Sequence, residues 1–214
     1  MIYIVKHKEY DNEIPKGYKE IGVGDMFDGK GENINHLNPY INEATAYYWL
    51  WKNSKDKTIG VCHYRRFFAE HDKIIDSRRV SQILKVNDII TLPRYYYTNN
   101  LYTELKVDLA KGKEHELCDK YLWEFYKKNP GFKDYMMNDN SFIPREMIIA
   151  SRKVFNELCE ELFDTVIPIA ERYHKEDSES RTNPRLVGFI TERYLSYLIE
   201  RKKYDTFIVN TKEV

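Results

Sequence analysis

The sequence predicts an α/β fold: a mostly parallel sheet flanked by helices, with a helical C-terminal part. Three observations predict it. Short β-branched runs alternate with longer segments of helical periodicity. Gly, Asn and Pro punctuate the boundaries between them. The run "TIGVC" is apolar throughout, as a buried strand is. Strands alternating with helices imply a sheet covered by those helices. At 214 residues, with no repeat, low-complexity tract or linker, a single domain over residues 1–214 is expected.

The elements follow in order. Ile2–Lys8 (IYIVKHK) is a first strand with His7 at its C-terminal end. Lys19–Asp25 (KEIGVGD) is a second, closed by glycines, and a Gly/Asn-rich loop (FDGKGENINHLNP) follows. Asn42 is placed to cap the aromatic-rich helix EATAYYWLWKNS, which ends near Asn53. Thr58–Cys62 is a strand that runs into His63, Tyr64, Arg65 and Arg66. After a polar loop, SRRVSQILKV reads as a short helix and Asp88–Pro93 (DIITLP) as a strand. GKEHELCDKYLWEFYKKN is an amphipathic helix stopped at NPG. REMIIAS is a further strand, and SRKVFNELCEELFDTVIPIAERYH a long helix interrupted around Pro168. NPRLVGFITERYLSYLIERKK is a helix with Asn183 as its cap and Pro184 in its first turn. YDTFIVN closes as a strand.

Composition narrows the function. A hydrophobic fraction of 42% supports a core, and 34 basic residues balance 34 acidic ones. Zero net charge argues against a protein that coats nucleic acid, although it permits a local anion site. The cysteines Cys62, Cys118 and Cys159 have no CxxC spacing and an odd count, so they read as reduced thiols of a cytoplasmic protein. The N-terminus is too short and too charged after Val5 for a signal peptide, and no apolar run approaches a membrane span. Work at the inner face of a membrane is compatible with this. Aromatic residues make 14% of the chain, 18 of them tyrosines, whose rings suit sugar faces and nucleobases.

Two clusters carry candidate chemistry. Ligands of such sheets gather outside the C-terminal ends of the strands. His7 and the His63–Arg66 cluster fall there. Two adjacent arginines beside a core need partners, either acidic side chains of the same protein or an anionic ligand. Their planar forks match phosphate oxygens. On the helix after Pro184, at about 100° per residue, Arg185, Gly188 and Glu192 share the side opposite Leu186, Ile190, Tyr194, Tyr197 and Leu198. A mid-helix glycine costs about 1 kcal/mol relative to alanine, so Gly188 serves either tight helix packing or the approach of a ligand. Glu192 beside it reads either as a general base or as a surface glutamate. A metal site through His63 and His71 matches no standard ligand spacing.

"ENINHLNPYINEATAYYWLWKN", "IGVCHYRRFF", "REMIIASRKVFNELCEELF" and "PRLVGFITERYL" together resemble a family of bacterial capsular and exopolysaccharide glycosyltransferases, long catalogued as a domain of unknown function. The resemblance runs from about Ile2 to Leu198. It implies a GT-A-like, Rossmann-type fold and transfer of a sugar, galactose or galactofuranose in some members, from a UDP-sugar to a glycan or lipid-linked glycan. Many GT-A enzymes hold a divalent metal on the donor diphosphate through Asp-x-Asp, which this chain lacks. His63-Tyr64-Arg65-Arg66 stands at the equivalent strand end. Arg65 and Arg66 are therefore expected on the diphosphate, with His63 donating nearby and no metal cofactor. His7, Tyr64, Arg185 and Gly188 are expected around the donor, with Glu192 as the base of an inverting transfer. The alternative is a non-catalytic domain that binds glycan or nucleotide. Three departures from the family pattern stand out. Glu146 replaces an asparagine, Tyr102 and Glu104 precede Asp108-Leu109 where a histidine is usual, and "YINEAT" keeps only Glu43 and Thr45 of a cysteine-bearing form.

Overall fold

The computed structural model describes residues 1–11, 13–109, 113–177 and 184–213. Its strands are β1 (Ile2–Lys6), β2 (Tyr18–Gly22), β3 (Thr58–His63), β4 (Arg66–Glu70), β5 (Lys73–Ile74), β6 (Ile89–Thr91), β7 (Tyr95–Tyr96), β8 (Ser141–Phe142), β9 (Ile148–Ser151), β10 (Thr206–Ile208) and β11 (Asn210–Glu213). Its helices are α1 (Asn38–Ile41), α2 (Ala44–Asn53), α3 (Ser77–Ile83), α4 (Leu101–Asp108), α5 (Lys113–Lys128), α6 (Pro130–Asn138), α7 (Arg152–Asp177) and α8 (Leu186–Arg201).

The α/β expectation holds. The main sheet runs β10-β6-β9-β3-β1-β2. β1 is parallel to β2 and to β3, and β6 is parallel to β10. β9 is the exception, antiparallel to both β3 and β6. The strands are apolar because both faces of the sheet are covered. Tyr3, Val5, Ile59, Val61, Ile89, Ile148 and Ala150 face the core under the large helical layer. Ile2, Ile4, Cys62, Ile90, Met147 and Ile149 face a second core with Val80 and Ile83 of α3 and Phe67 and Phe68 of β4. The three cysteines are buried and unbridged.

Several expected elements are corrected. The "polar loop" after β3 begins with β4: His63 pairs with Arg66, so Tyr64 and Arg65 form the tip of a tight turn. β4 continues to a hairpin with β5 through His71 and Asp72, both at positive φ, and pairs on its other edge with β11. The helix ending at NPG restarts at once as α6, because Pro130 at its first position needs no hydrogen-bonding N–H. α7 passes Pro168 without a break. Pro168 and Asp164, whose carbonyl loses its partner there, both lie on the exposed side, open to solvent. Asn42 does not cap α2: it sits at φ 48°, with its side chain directed to Arg185. Asn183 lies outside the described residues, and Arg185 occupies the N-cap position of α8.

α8 is the largest correction. The expected two-sided helix is buried nearly all round, from Leu186 to Ile199. It packs against α1, α5, α6 and α7. Gly188 makes this possible, since a Cβ there would meet Asn42 Nδ2 at 2.5 Å and the Tyr40 carbonyl oxygen at 2.9 Å. Tight packing is thus what the glycine provides. Among the described residues no helix is long and apolar enough to cross a membrane.

Candidate functional site

Parallel β1, β2 and β3 end side by side, and the chain leaves them through His7, Val23 and Tyr64. A cavity of about 290 Å³ opens there. His7, His63, Tyr64, Arg65, Arg66, Arg185, Gly188 and Glu192 all line it. So do Asn42, Glu43, Arg145, Glu146 and Phe189, which the sequence reading did not place there. A second hollow of about 430 Å³ shares His7, Asn42, Glu43 and Arg185 and extends over Val23, Gly24 and Asp25 at the end of β2.

A left-handed bend in the chain shapes the inner wall. Arg145 and Glu146 have φ of 72° and 49°, which costs non-glycine residues about 1–3 kcal/mol each unless the surroundings hold them. They do. The Arg145 N–H donates to Glu192 Oε1, its carbonyl accepts from His63 Nε2 at 2.7 Å, and the Glu146 carbonyl accepts from the Tyr47 hydroxyl. Three side chains from α8, β3 and α2 therefore pin one bend. His63 Nδ1 lies 3.5 Å from Glu43 Oε1. Both imidazole nitrogens thus face protein acceptors, so the ring braces the wall instead of aiming a nitrogen at a ligand. His63 and His71 stand at opposite ends of β4. Among the described residues no group of three or more His, Cys, Asp or Glu side chains is arranged to hold a metal ion.

The rim is cationic. Arg65 is exposed, lies 5.1 Å over the Tyr64 ring and makes no ion pair among the described residues. Arg66 Nε donates to Glu213 Oε1 at 3.0 Å, a pair whose carboxylate is 70% exposed. An exposed partner of this kind contributes about 0–1 kcal/mol, so Arg66 is readily exchanged to a better anion. Arg145 Nη1 donates to Thr211 Oγ1 at 3.1 Å, and burial together with neighbouring Arg66 lowers its pKa. Arg185 Nε donates to Asn42 Oδ1 at 2.9 Å. His7 meets the Tyr64 ring edge-on at 5.2 Å. Burial lowers the His7 pKa, with Lys8, Arg65 and Arg185 acting the same way and Glu43 against them.

The floor is acidic. Glu192, on the cavity wall of α8, has its pKa raised by burial and by Glu43, against the pull of Arg193, the Arg145 N–H and His63. It makes no ion pair among the described residues, so neither Arg185 nor the arginine cluster neutralises it. Arg193 beside it is 1% exposed and turned away: it pairs with Asp108 at 2.9 Å, donates to the Phe189 carbonyl at 3.1 Å and lies 4.7 Å over Phe142. Glu146 is 7% exposed, and its Oε1 has no hydrogen-bond partner. Burial, then Glu43 and Glu192, raise its pKa well above the usual carboxyl range, against Arg185.

The architecture is shared with a bifunctional glycosyltransferase, WbbM, solved in its apo form. The two superpose with a TM-score of 0.79 at 17% sequence identity, covering 100% of this chain and 45% of that one. This chain thus spans less than half of that protein, and the likeness is one of fold. No curated protein matches the sequence. The sequence profile of one family does, over residues 1–203, and the chain belongs to that family, described as a domain of unknown function, DUF4422.

Proposed function

We propose that the cavity transfers a sugar from a nucleoside diphosphate donor, a UDP-sugar, to a hydroxyl group of a growing surface glycan. The observation that carries this is the polarity of the cavity. Arg65, Arg66, Arg145 and Arg185 line the same space as Glu43, Glu146 and Glu192, at the C-terminal ends of three parallel strands. The arginines suit the diphosphate, whose negative charge grows as it leaves. The hollow beyond β2, with Asp25 on its wall, suits the nucleoside. Glu192 has the position and the raised pKa of a general base. In this reading the acceptor oxygen attacks the anomeric carbon and gives its proton to Glu192. The bond from that carbon to the phosphate oxygen breaks, and the diphosphate departs into the arginine rim with inversion. Positive side chains do the electrostatic work that a divalent metal does elsewhere. Galactose or galactofuranose as the sugar, and a capsular or lipid-linked glycan as the acceptor, extend the family resemblance. Buried, unbridged cysteines fit a reducing, cytoplasmic setting.

A thermal-shift series tests the reading, because a ligand bound only by the native state must stabilise it. UDP and UDP-sugars are expected to raise Tm equally with and without EDTA, while free sugars alone do not. A shift abolished by EDTA and restored by manganese would replace the arginines with a metal. Stabilisation by glycans but not by UDP would favour a non-catalytic glycan-binding domain.

The rim arginines give a second expectation. Arg65→Ala or Arg66→Ala should each weaken transition-state stabilisation by about 2–4 kcal/mol, as loss of a charge-assisted donor does. Lysine should rescue only part, because it lacks the fork. Steady-state kinetics decide: unchanged turnover in both alanine variants removes the arginines from the mechanism.

A further inference from the structure

We propose that Glu146 is a neutral carboxylic acid that reads one hydroxyl group of the sugar held in the cavity by donating to it through its O–H. The ligand named here rests on the nucleotide-sugar reading; the proton does not. A buried carboxylate with an unpaired oxygen is among the costliest groups a fold can keep. Glu146 has that unpaired oxygen, lines the cavity and is more than nine-tenths buried. Its backbone is held in a left-handed turn by hydrogen bonds that leave the side chain out: the Arg145 N–H, the Arg145 carbonyl and the Glu146 carbonyl are the groups engaged.

The groups around it favour the uncharged form. Glu43, just before α2, and Glu192 on α8 both act against a third negative charge, and Arg185 at the start of α8 is the opposing cation. His63 of β3, already committed to Glu43 and to the Arg145 carbonyl, and Arg145, directed to Thr211, complete the charged surroundings, with His7 across the same cavity. Tyr47 of α2 binds only the Glu146 backbone carbonyl. A neutral acid among ionisable glutamates offers what they lack, a donor proton. A sugar hydroxyl can accept that proton; a sugar carboxylate would face Glu43 and Glu192 with like charge. The site therefore selects a neutral sugar over a uronic acid.

Two measurements test this. In protein with ¹³C-labelled glutamate, the side-chain carboxyl signal that disappears in Glu146→Gln is expected at the shift of a protonated acid at pH 7. Linkage gives the same sign: a glutamate with a raised folded pKa confers stability fully present below its unfolded pKa and lost as pH rises through the folded one. Wild type should thus lose Tm relative to Glu146→Gln as pH rises above the ordinary glutamate range near 4.3. Glu192 is present in both proteins, so the difference reports Glu146 together with its repulsion by Glu192. An ionised signal, or a constant Tm difference, overturns the proposal whatever the protein binds.

For the ligand, UDP-glucose is expected to add to the Tm shift of UDP, and UDP-glucuronate to add nothing. Glu146→Gln, which keeps a donor, should retain the increment that UDP-glucose adds over UDP, and Glu146→Ala should lose it. Equal shifts with both sugars, or an increment over UDP that survives Glu146→Ala, overturn the hydroxyl reading while leaving UDP binding intact. Failure of UDP itself to bind overturns both the ligand assigned here and the transferase reading.

Discussion

Glu192→Gln is expected to lower turnover about a hundredfold or more while nucleotide affinity barely changes. The substitution keeps shape and loses the base. Oε1 of Glu192 is committed to the Arg145 N–H, a bond that glutamine's carbonyl can also accept, so the bend at Arg145–Glu146 survives the change. The arginine rim is untouched, which is why UDP affinity is the control. The pH profile adds a second reading. Burial raises the Glu192 pKa, and a base acts only when ionised, so kcat should fall as pH drops through a value above the ordinary carboxyl range near 4.3. That acid limb should vanish in the variant. Loss of nucleotide binding with turnover preserved at saturation would make Glu192 a brace for the wall, with the base elsewhere.

Asp108→Ala is expected to destabilise the fold by about 3–5 kcal/mol, measured by urea denaturation. Arg193 is 1% exposed and Asp108 is its carboxylate partner, so the truncation leaves a buried guanidinium uncompensated. The Phe189 carbonyl and the Phe142 ring remain, but neither carries a full charge. Arg193→Met added to Asp108→Ala should recover part of the loss, because the double variant buries no lone ion. A single-variant cost below about 1 kcal/mol would show that the pair behaves as an exposed one.

Sequence patterns reached the eight cavity residues because strand ends and helix spacing are local properties. Apolar runs mark where β1 and β3 stop, and the residues just past them face the cavity in a parallel sheet. Arg145 and Glu146 escaped because "REMIIAS" has the composition of a strand throughout. Only tertiary hydrogen bonds from Glu192, His63 and Tyr47 turn its first two residues left-handed. A proline just before them was the one available signal. Glu43 and Asn42 escaped for a related reason: Asn42 looks like a cap, but Arg185, 143 residues away, takes its side chain. The antiparallel setting of β9 was equally hidden, since strand direction depends on where the sheet has room. On α8 the period of about 3.6 residues separated Glu192 correctly from the apolar stripe. It could not show that helices cover the other side as well, because Arg193 and Thr191 look like solvent residues until Asp108 and the Val187 carbonyl are seen beside them.

The place of α8 has a consequence for how the protein is made. Translation delivers the chain from its N-terminus, so α1, α5, α6 and α7 leave the ribosome before the helix they enclose. Until α8 follows, the apolar surfaces meant for it stand open, the bend before β9 lacks the carboxylate that holds it, and Asp108 waits without its guanidinium. Apolar surface of these four helices is therefore exposed on the nascent chain until α8 follows, the kind of surface that chaperones bind. The cavity waits longer still, because Thr211 and Glu213, the partners of Arg145 and Arg66, arrive with β11 after α8.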